Sequence, residues 1–313
     1  MKLEKLKAGN LSDLIKRIIV GAVGIPIAVG IIYLGGYLFM AVIIVISSLA
    51  MHEYYKLAEK KGVWPLKWLS IVFGALFLFV AFEILKKGGD YQSLHPGIVF
   101  PSLMILYILA LLTGGLFRRK QANPLLSIAV SITGFMYITL SFMFLLGVRY
   151  FDTSVELAAG TGINSIKPWA AAIDGRWAGW LLLSVFLAVW ICDSAAYFIG
   201  KAIGKHKLME RVSPKKTWEG AIAGFVFAII TFIVCTFFLI KGLPLIHAVV
   251  CGAIVGTAGQ VGDLAESLLK RDAGVKDSSN LLPGHGGALD RFDSIIFVMP
   301  LVYIYLLAAA VVF

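Results

Sequence analysis

The chain has 313 residues, of which 59% are hydrophobic and only 15% are charged. Soluble globular domains contain about 45–50% apolar and about 25% charged residues. With a mean hydropathy of +0.89, the composition excludes an ordinary soluble protein. The net charge of +10 is informative mainly through the placement of the basic residues.

The apolar residues form long blocks, and a bilayer-spanning helix needs about 20 mostly apolar residues. Nine such blocks are predicted, at 18–34, 37–51, 66–85, 98–117, 125–148, 178–200, 221–240, 244–262 and 294–313. We therefore expect an all-α polytopic membrane protein with about nine transmembrane helices. We divide it into a basic N-terminal segment (1–17), N-terminal transmembrane helices and loops (18–176) and a C-terminal transmembrane region (177–313).

The basic residues predict how these helices are oriented. If the N-terminus is cytoplasmic, nearly all of the 28 lysines and arginines fall on the cytoplasmic side. The six exceptions are Lys86, Lys87, Arg149, Lys167, Arg176 and Lys241. Lysine and arginine in short loops favour the cytoplasmic side, so the pattern predicts a cytoplasmic N-terminus.

Acidic residues are scarce and concentrated near the C-terminus. Half of the 18 lie from Asp193 onward, within or beside the last two predicted cytoplasmic loops, whereas the first five predicted helices carry almost nothing ionisable in their interiors. Asp193 itself lies inside a predicted span, where a charge costs about 2.5–3.5 kcal/mol near the centre and usually faces a polar cavity. We therefore expect the chemistry at the cytoplasmic membrane boundary of the C-terminal region.

The loop after Asp193 contains two adjacent lysines, Lys215 and Lys216. Lysine can hold a phosphate as a mobile point charge. Ser213–Pro214 is expected to begin the next helix, with Glu219 in its first turns. A basic cap at a helix end, with lysines reaching to the membrane surface, is an equally good interpretation of this stretch alone.

The last predicted loop holds two groups of carboxylates. Asp263 and Glu266 share one helical face with Ser267 and Lys270, because residues three, four and seven apart are neighbours on a helix. Asp290 and Asp293 are three residues apart at the start of the last helix. The glycine-rich turn between the groups could bring them together, and hard oxygen ligands beside basic residues suit Mg²⁺ bridging to phosphates.

The turn itself contains Gly284, His285, Gly286 and Gly287. Glycine permits positive φ and close backbone approach, and successive N–H groups in such a turn can bind an oxyanion. His285 could contact a phosphate or a leaving group there, although a lone histidine is as often structural. In the preceding span, Gly252 and Gly256 have the spacing that allows two helices to pack closely.

These residues resemble a known signature. Ser-Leu-Leu-Lys-Arg at 267–271, Lys-Asp at 276–277 and Leu-Pro-Gly-His-Gly-Gly-Ala-Leu-Asp-Arg-Phe-Asp at 282–293 closely match that of the phosphatidate cytidylyltransferase family. Asp-Ser-Ala-Ala-Tyr at 193–197 and Ser-Pro-Lys-Lys-Thr-Trp-Glu-Gly at 213–220 are similar to upstream elements of that family. The resemblance covers about residues 190–293.

The resemblance implies a multi-pass enzyme of the bacterial cytoplasmic membrane. It would join CTP to phosphatidate of the inner leaflet, with Mg²⁺ as cofactor and no nucleic acid as partner. A second, monovalent cation and a homodimer are left open. The implied metal ligands are Asp263 and Asp290, followed by Asp293 and Asp193. The implied catalytic residues are Lys270, Arg271, His285 and Arg291, and the implied substrate-binding residues are Lys215, Lys216, Ser267, Lys276, Gly284, Gly286 and Gly287.

Two alternatives come from other functional classes. An ion- or proton-coupled transporter would also place a carboxylate such as Asp193 inside the membrane. A polyprenol or phytol lipid kinase shares an element like that at 193–197, but the likeness does not extend to the stretch at 285–293. A CDP-alcohol phosphotransferase would need an Asp-Gly-x-x-Ala-Arg sequence, which this chain lacks.

Overall fold

A computed structural model of the chain describes residues 24–87, 96–118, 123–152, 166–171, 173–279, 281 and 286–311. In chain order its helices are α1 (Gly24–Leu34), α2 (Gly36–Lys60), α3 (Lys67–Lys87), α4 (Pro96–Leu116), α5 (Pro124–Arg149), the short α6 (Pro168–Ala171), α7 (Gly175–Ile203), α8 (Trp218–Phe238), α9 (Leu245–Asp272) and α10 (Leu289–Val311).

Within these described ranges, eight helices are long and apolar enough to span a membrane, namely α2 to α5 and α7 to α10. They confirm a polytopic all-α protein and correspond to eight of the nine predicted blocks. The first block, 18–34, begins outside the described residues, and its described part is the short apolar helix α1. A ninth span therefore stays a prediction, and the basic segment 1–17 also lies outside the described residues.

An antiparallel β-hairpin, β1 (Lys207–Met209) and β2 (Ser213–Thr217), separates α7 from α8. The prediction that Ser213–Pro214 begins a helix is wrong, because this segment is extended and α8 begins only at Trp218. The Thr217 hydroxyl caps the helix by accepting the Gly220 N–H at 3.3 Å. Threonine is a favoured cap residue, whereas proline suits an edge strand because it needs no ladder partner for an N–H.

Close backbone contact joins α8 to the helices on either side of it. A Cβ atom on Gly252 would lie 2.5 Å from the Ile229 Cα, and one on Gly256 would lie 2.7 Å from the Phe225 Cα. The close packing predicted from this glycine pair is confirmed. Against α7, a Cβ on Gly220 would lie 2.5 Å from a backbone carbonyl oxygen. Glycine at these positions lets the three helices approach closely.

The N-terminal helices are tied together by buried hydrogen bonds. Tyr55 of α2 and Tyr107 of α4 both donate to the Ser131 carbonyl of α5, at 2.8 and 3.0 Å, and Tyr107 also contacts the Ser70 hydroxyl of α3 at 2.8 Å. A π-helical turn follows at Phe135–Thr139. Helices α2 and α5 also contact α10, so the two halves of the chain pack against each other. The division at 176/177 stays a prediction.

The predicted orientation can be tested with single cysteines. Glu210, in the hairpin turn, and Lys241, between α8 and α9, are both exposed and lie on opposite sides of the span α8. With the three buried native cysteines replaced by alanine, we expect an impermeant thiol reagent to label Lys241→Cys in intact cells. Glu210→Cys should be labelled only after the membrane is opened. Labelling of Glu210→Cys from outside would reverse the orientation.

Candidate active site

A polar cavity of about 830 Å³ lies where α7 ends and α10 begins. Its walls come from α7, the hairpin, α8, α9 and the first turn of α10. It brings together eight of the residues predicted from the sequence: Asp193, Lys215, Lys216, Asp263, Lys270, Asp290, Arg291 and Asp293. These positions span a hundred residues of sequence, so the helix packing creates the site.

Three carboxylates cluster beside this cavity. Asp263 and Glu266 of α9 and Asp293 of α10 each offer an oxygen, and these oxygens lie within 4.8 Å of one another. Glu266 is fully buried; its Oε2 forms an ion pair with Lys270, and its Oε1 has no hydrogen-bond partner among the described residues. A buried carboxylate oxygen without a hydrogen bond is rare in proteins, and Glu266 Oε1 fits a site for a cation with hard oxygen ligands. Glu266 was noted in the sequence as part of the α9 face but was not assigned to the metal site.

Two lysines compensate part of this negative charge. Lys216 from β2 lies 2.6 Å from an Asp263 oxygen. Lys270 from α9 forms ion pairs with both Glu266 and Asp290, the latter at 2.7 Å. Because an unpaired buried charge costs several kcal/mol, these pairs make the cluster tolerable inside the protein.

The Asp290 carboxylate accepts hydrogen bonds from the loop that precedes it. Its Oδ2 accepts the Ser278 N–H at 2.9 Å, the Ser278 hydroxyl at 2.7 Å and the Gly287 N–H at 2.8 Å. Gly286 has a φ of +81°, and a Cβ there would lie 2.7 Å from the same oxygen. Asp290 therefore organises the loop, and its predicted direct contact with a metal stays a prediction.

Other predicted site residues lie away from the cavity lining. Arg271 donates to the carbonyls of Val212 and Val275, at 3.3 and 3.0 Å, and so ties α9 to the hairpin turn. Ser267 is buried and donates to Asp263 at 3.3 Å, while Lys276 is exposed. Catalytic or substrate-binding roles for these three stay predictions. Gly284 and His285 lie outside the described residues.

Glu53 was not among the predicted site residues. The predicted second block ended at residue 51, whereas α2 continues to Lys60 and buries Glu53 at 3% exposure. Its carboxylate contacts the loop before α10, at Ser278, Ser279, Ala288 and Leu289. The expectation that the first five helices carry almost nothing ionisable is therefore wrong at this point. A lone glutamate at the end of an apolar run was the available signal.

An apolar groove of about 400 Å³ adjoins the polar cavity. It is formed by α1, α2, α5, α7 and the start of α10, and its lining includes Phe39, Ile43, Leu183 and Trp190. Arg291 lines both the groove and the polar cavity. The candidate site thus has a charged part and an apolar part that meet at one arginine.

Comparison with known proteins agrees with this arrangement. Residues 15–309 match the model of the cytidylyltransferase family. The chain is 31% identical to a phosphatidate cytidylyltransferase of Synechocystis over 93% of its length and 95% of the relative's. A Staphylococcus haemolyticus protein of the same name is 34% identical over 76% of this chain and 89% of its own length. The chloroplastic phosphatidate cytidylyltransferase 5 of Arabidopsis thaliana is 33% identical over 96% of this chain and 74% of its own length. A charged cavity at the end of the spans, together with a family match over nearly the whole sequence, places this chain in the cytidylyltransferase family.

Proposed function

We propose that this chain converts CTP and phosphatidate to CDP-diacylglycerol and pyrophosphate, at the polar cavity between α7 and α10. The names of its relatives support this reaction. The observation that carries it furthest is the position of Arg291, on both the charged cavity and the apolar groove. A nucleotide and a lipid phosphate could meet at such a boundary. We further propose that the protein lies in a bacterial cytoplasmic membrane, with the cavity facing the cytoplasm.

The reaction needs alignment more than it needs a base. A phosphate oxygen of phosphatidate attacks the α-phosphorus of CTP, a new P–O bond forms, and the bond to the β-phosphate oxygen breaks to release pyrophosphate. A phosphate monoester has a second pKa of about 6, so the attacking oxygen is already anionic near neutral pH. The difficulty is to hold two polyanions together, which basic side chains can do by positioning and neutralising them.

The basic residues of the cavity are placed for this task. Lys215 and Lys216 on β2 would hold phosphates of CTP at one wall. Lys270, on α9, also lines the cavity and is held by its two carboxylate partners. Arg291 at the groove would grip the lipid phosphate, for which a guanidinium offers paired donors.

Asp263, Glu266 and Asp293 are the residues that would hold a divalent cation, and we propose Mg²⁺. Mg²⁺ usually takes one or two carboxylates together with waters and substrate phosphates. When bound, it would neutralise charge on the phosphates and polarise them. Asp193, on the facing helix α7, also lines the cavity and adds negative charge there. A second, monovalent cation and a homodimer stay predictions.

The groove is suited to an acyl chain of the lipid substrate. Leu183, Phe186 and Trp190 line it at helical spacing along α7, and the same helix then reaches the polar cavity at Asp193. From Leu183 to Trp190, this wall of the groove extends about 10 Å along α7, at ~1.5 Å per residue. If Arg291 binds the lipid phosphate, the acyl chain would extend along the groove, away from the charged cavity and into the membrane.

Product formation tests the proposed function directly. Purified protein with labelled CTP, phosphatidate and Mg²⁺ should convert label into lipid-soluble cytidine and release pyrophosphate. Lys216→Gln should lower turnover at least tenfold, or about 1.4 kcal/mol of transition-state stabilisation, because Lys216 lies in the cavity. Lys60→Gln, an exposed control at the end of α2, should not. Label that stays in water at every metal concentration would refute the reaction and favour a transporter.

The metal site can be tested without turnover. Asp263→Asn, Glu266→Gln and Asp293→Asn should each weaken Mn²⁺ binding at least tenfold, measured by electron paramagnetic resonance of the purified protein. Each change removes ligand charge from the cluster. Asp272→Asn is the matched control on α9, because Asp272 is exposed and forms a surface ion pair with Lys61, typically worth about 0–1 kcal/mol. Unchanged Mn²⁺ affinity in all three cluster variants would remove the cluster from the metal site.

The acyl-chain groove can be tested by filling it. Ala28, on α1, lines the groove, whereas Ala41 faces outward from α2 and does not. We expect Ala28→Phe to raise the KM for long-chain phosphatidate about tenfold while the KM for a dihexanoyl analogue stays unchanged. Ala41→Phe should change neither value. An equal effect of Ala28→Phe on both lipids would contradict an acyl chain in this groove.

A further inference from the structure

We infer that Glu53 is a positioning residue for the reaction: its carboxylate, on α2, fixes the loop before α10 and the N-terminus of α10. The role of that loop in catalysis rests on the proposed function. The N-terminal half would thus support the site directly, although α2 is more than 200 residues away in sequence from the segment that it holds.

Both oxygens of Glu53 are engaged by the loop. Oε1 accepts the Ser279 hydroxyl at 2.6 Å and the Ala288 N–H at 3.0 Å. Oε2 accepts the Ser278 hydroxyl at 2.9 Å and the Leu289 N–H at 2.8 Å. These four donors come from both ends of the segment 278–289, so one side chain holds its two ends together.

The electrostatics of Glu53 explain why a carboxylate is needed here. In the part of the chain that the structure describes, Glu53 is buried at 3% exposure and forms no ion pair. Its negative charge faces the first N–H groups of α10, at Ala288 and Leu289. Helix N-termini carry free N–H groups and a positive partial charge that stabilise anions. Glu53 thus caps α10 from another helix.

This cap is directly connected to the residues of the cavity. The first turns of α10 carry Asp290, Arg291 and Asp293, which all line the cavity. The Ser278 hydroxyl lies between Glu53 Oε2 and Asp290 Oδ2, at 2.9 and 2.7 Å. One hydroxyl has a single proton to donate, so the two carboxylates share this serine. A change at Glu53 therefore reaches Asp290 through one shared contact.

Gly287 is packed against the same carboxylate. A Cβ atom at this position would collide with the Glu53 carboxylate and the Ser278 hydroxyl. The requirement for glycine here thus follows from the proximity of Glu53. It does not require a direct contact of Gly287 with a substrate.

The experiment compares Glu53→Gln with Tyr107→Phe. Glutamine keeps the size of Glu53, but its NH₂ group would face two of the four donors. Tyr107→Phe is the control, because it removes buried hydrogen bonds within the same N-terminal bundle without contacting the loop. Hydrogen exchange of the purified proteins without substrates is measured first, and turnover second.

We expect the amides of the segment 276–292 to exchange at least tenfold faster in Glu53→Gln, with α3 to α5 unchanged. In Tyr107→Phe, faster exchange should be confined to the N-terminal helices. The kcat of Glu53→Gln should fall at least tenfold while its KM for CTP stays within about twofold, because Lys215 and Lys216 on β2 are not held by Glu53. A residue that only stabilised the bundle would lower the amount of folded protein in both variants and leave kcat per folded molecule unchanged.

Unchanged exchange in the segment 276–292 would overturn the inference, even if the wild-type protein is active. If the wild type makes no lipid-soluble cytidine, the proposed function fails, while the exchange measurement still decides whether Glu53 holds the loop. Should Glu53→Gln not fold, Ser279→Ala removes one of the four donors and leaves the carboxylate in place. Exchange near Ser279 should then rise, and no rise would again contradict the inference.

Discussion

The arrangement of the C-terminal half follows from one constraint, the clustering of several carboxylates at the end of apolar helices. Asp263, Glu266 and Asp293 lie close enough together to repel one another strongly, and removing such charges from water costs several kcal/mol each. Lys216 and Lys270 offset part of that cost through ion pairs. A divalent cation would balance the remaining negative charge. A site that is electrostatically incomplete on its own is well suited to bind a metal with a nucleotide.

The surrounding scaffold keeps these charges at fixed positions. Glycines let α7, α8 and α9 approach at backbone contact, which fixes the walls of the cavity. The loop before α10 is held from two directions, by Asp290 within the site and by Glu53 from the N-terminal bundle. The N-terminal helices therefore serve two purposes. Helices α1, α2 and α5 contribute to the groove beside Arg291, and α2 supports the loop before α10 through Glu53.

The sequence predicted the elements whose cause is local. Long apolar blocks predicted the spans, helical spacing predicted the shared face of Asp263 and Lys270, and the Gly252–Gly256 spacing predicted a close helix contact. The hairpin was missed because Pro214 is compatible with either a helix start or an extended edge strand. The loop contacts of Asp290 and the role of Glu53 could not be predicted, since both depend on which atoms the tertiary packing brings together. Spacing can show that carboxylates share a face, but it does not show which of them is already hydrogen-bonded.

The central claim is that the carboxylate cluster of Asp263, Glu266 and Asp293 is the metal site. The most direct test is anomalous diffraction from crystals of the protein grown with Mn²⁺ and CTP. The account predicts one anomalous peak within coordination distance, about 2.0–2.6 Å, of oxygens from Asp263, Glu266 or Asp293. A peak only at exposed acidic residues such as Asp272, or no peak at saturating Mn²⁺, would contradict it.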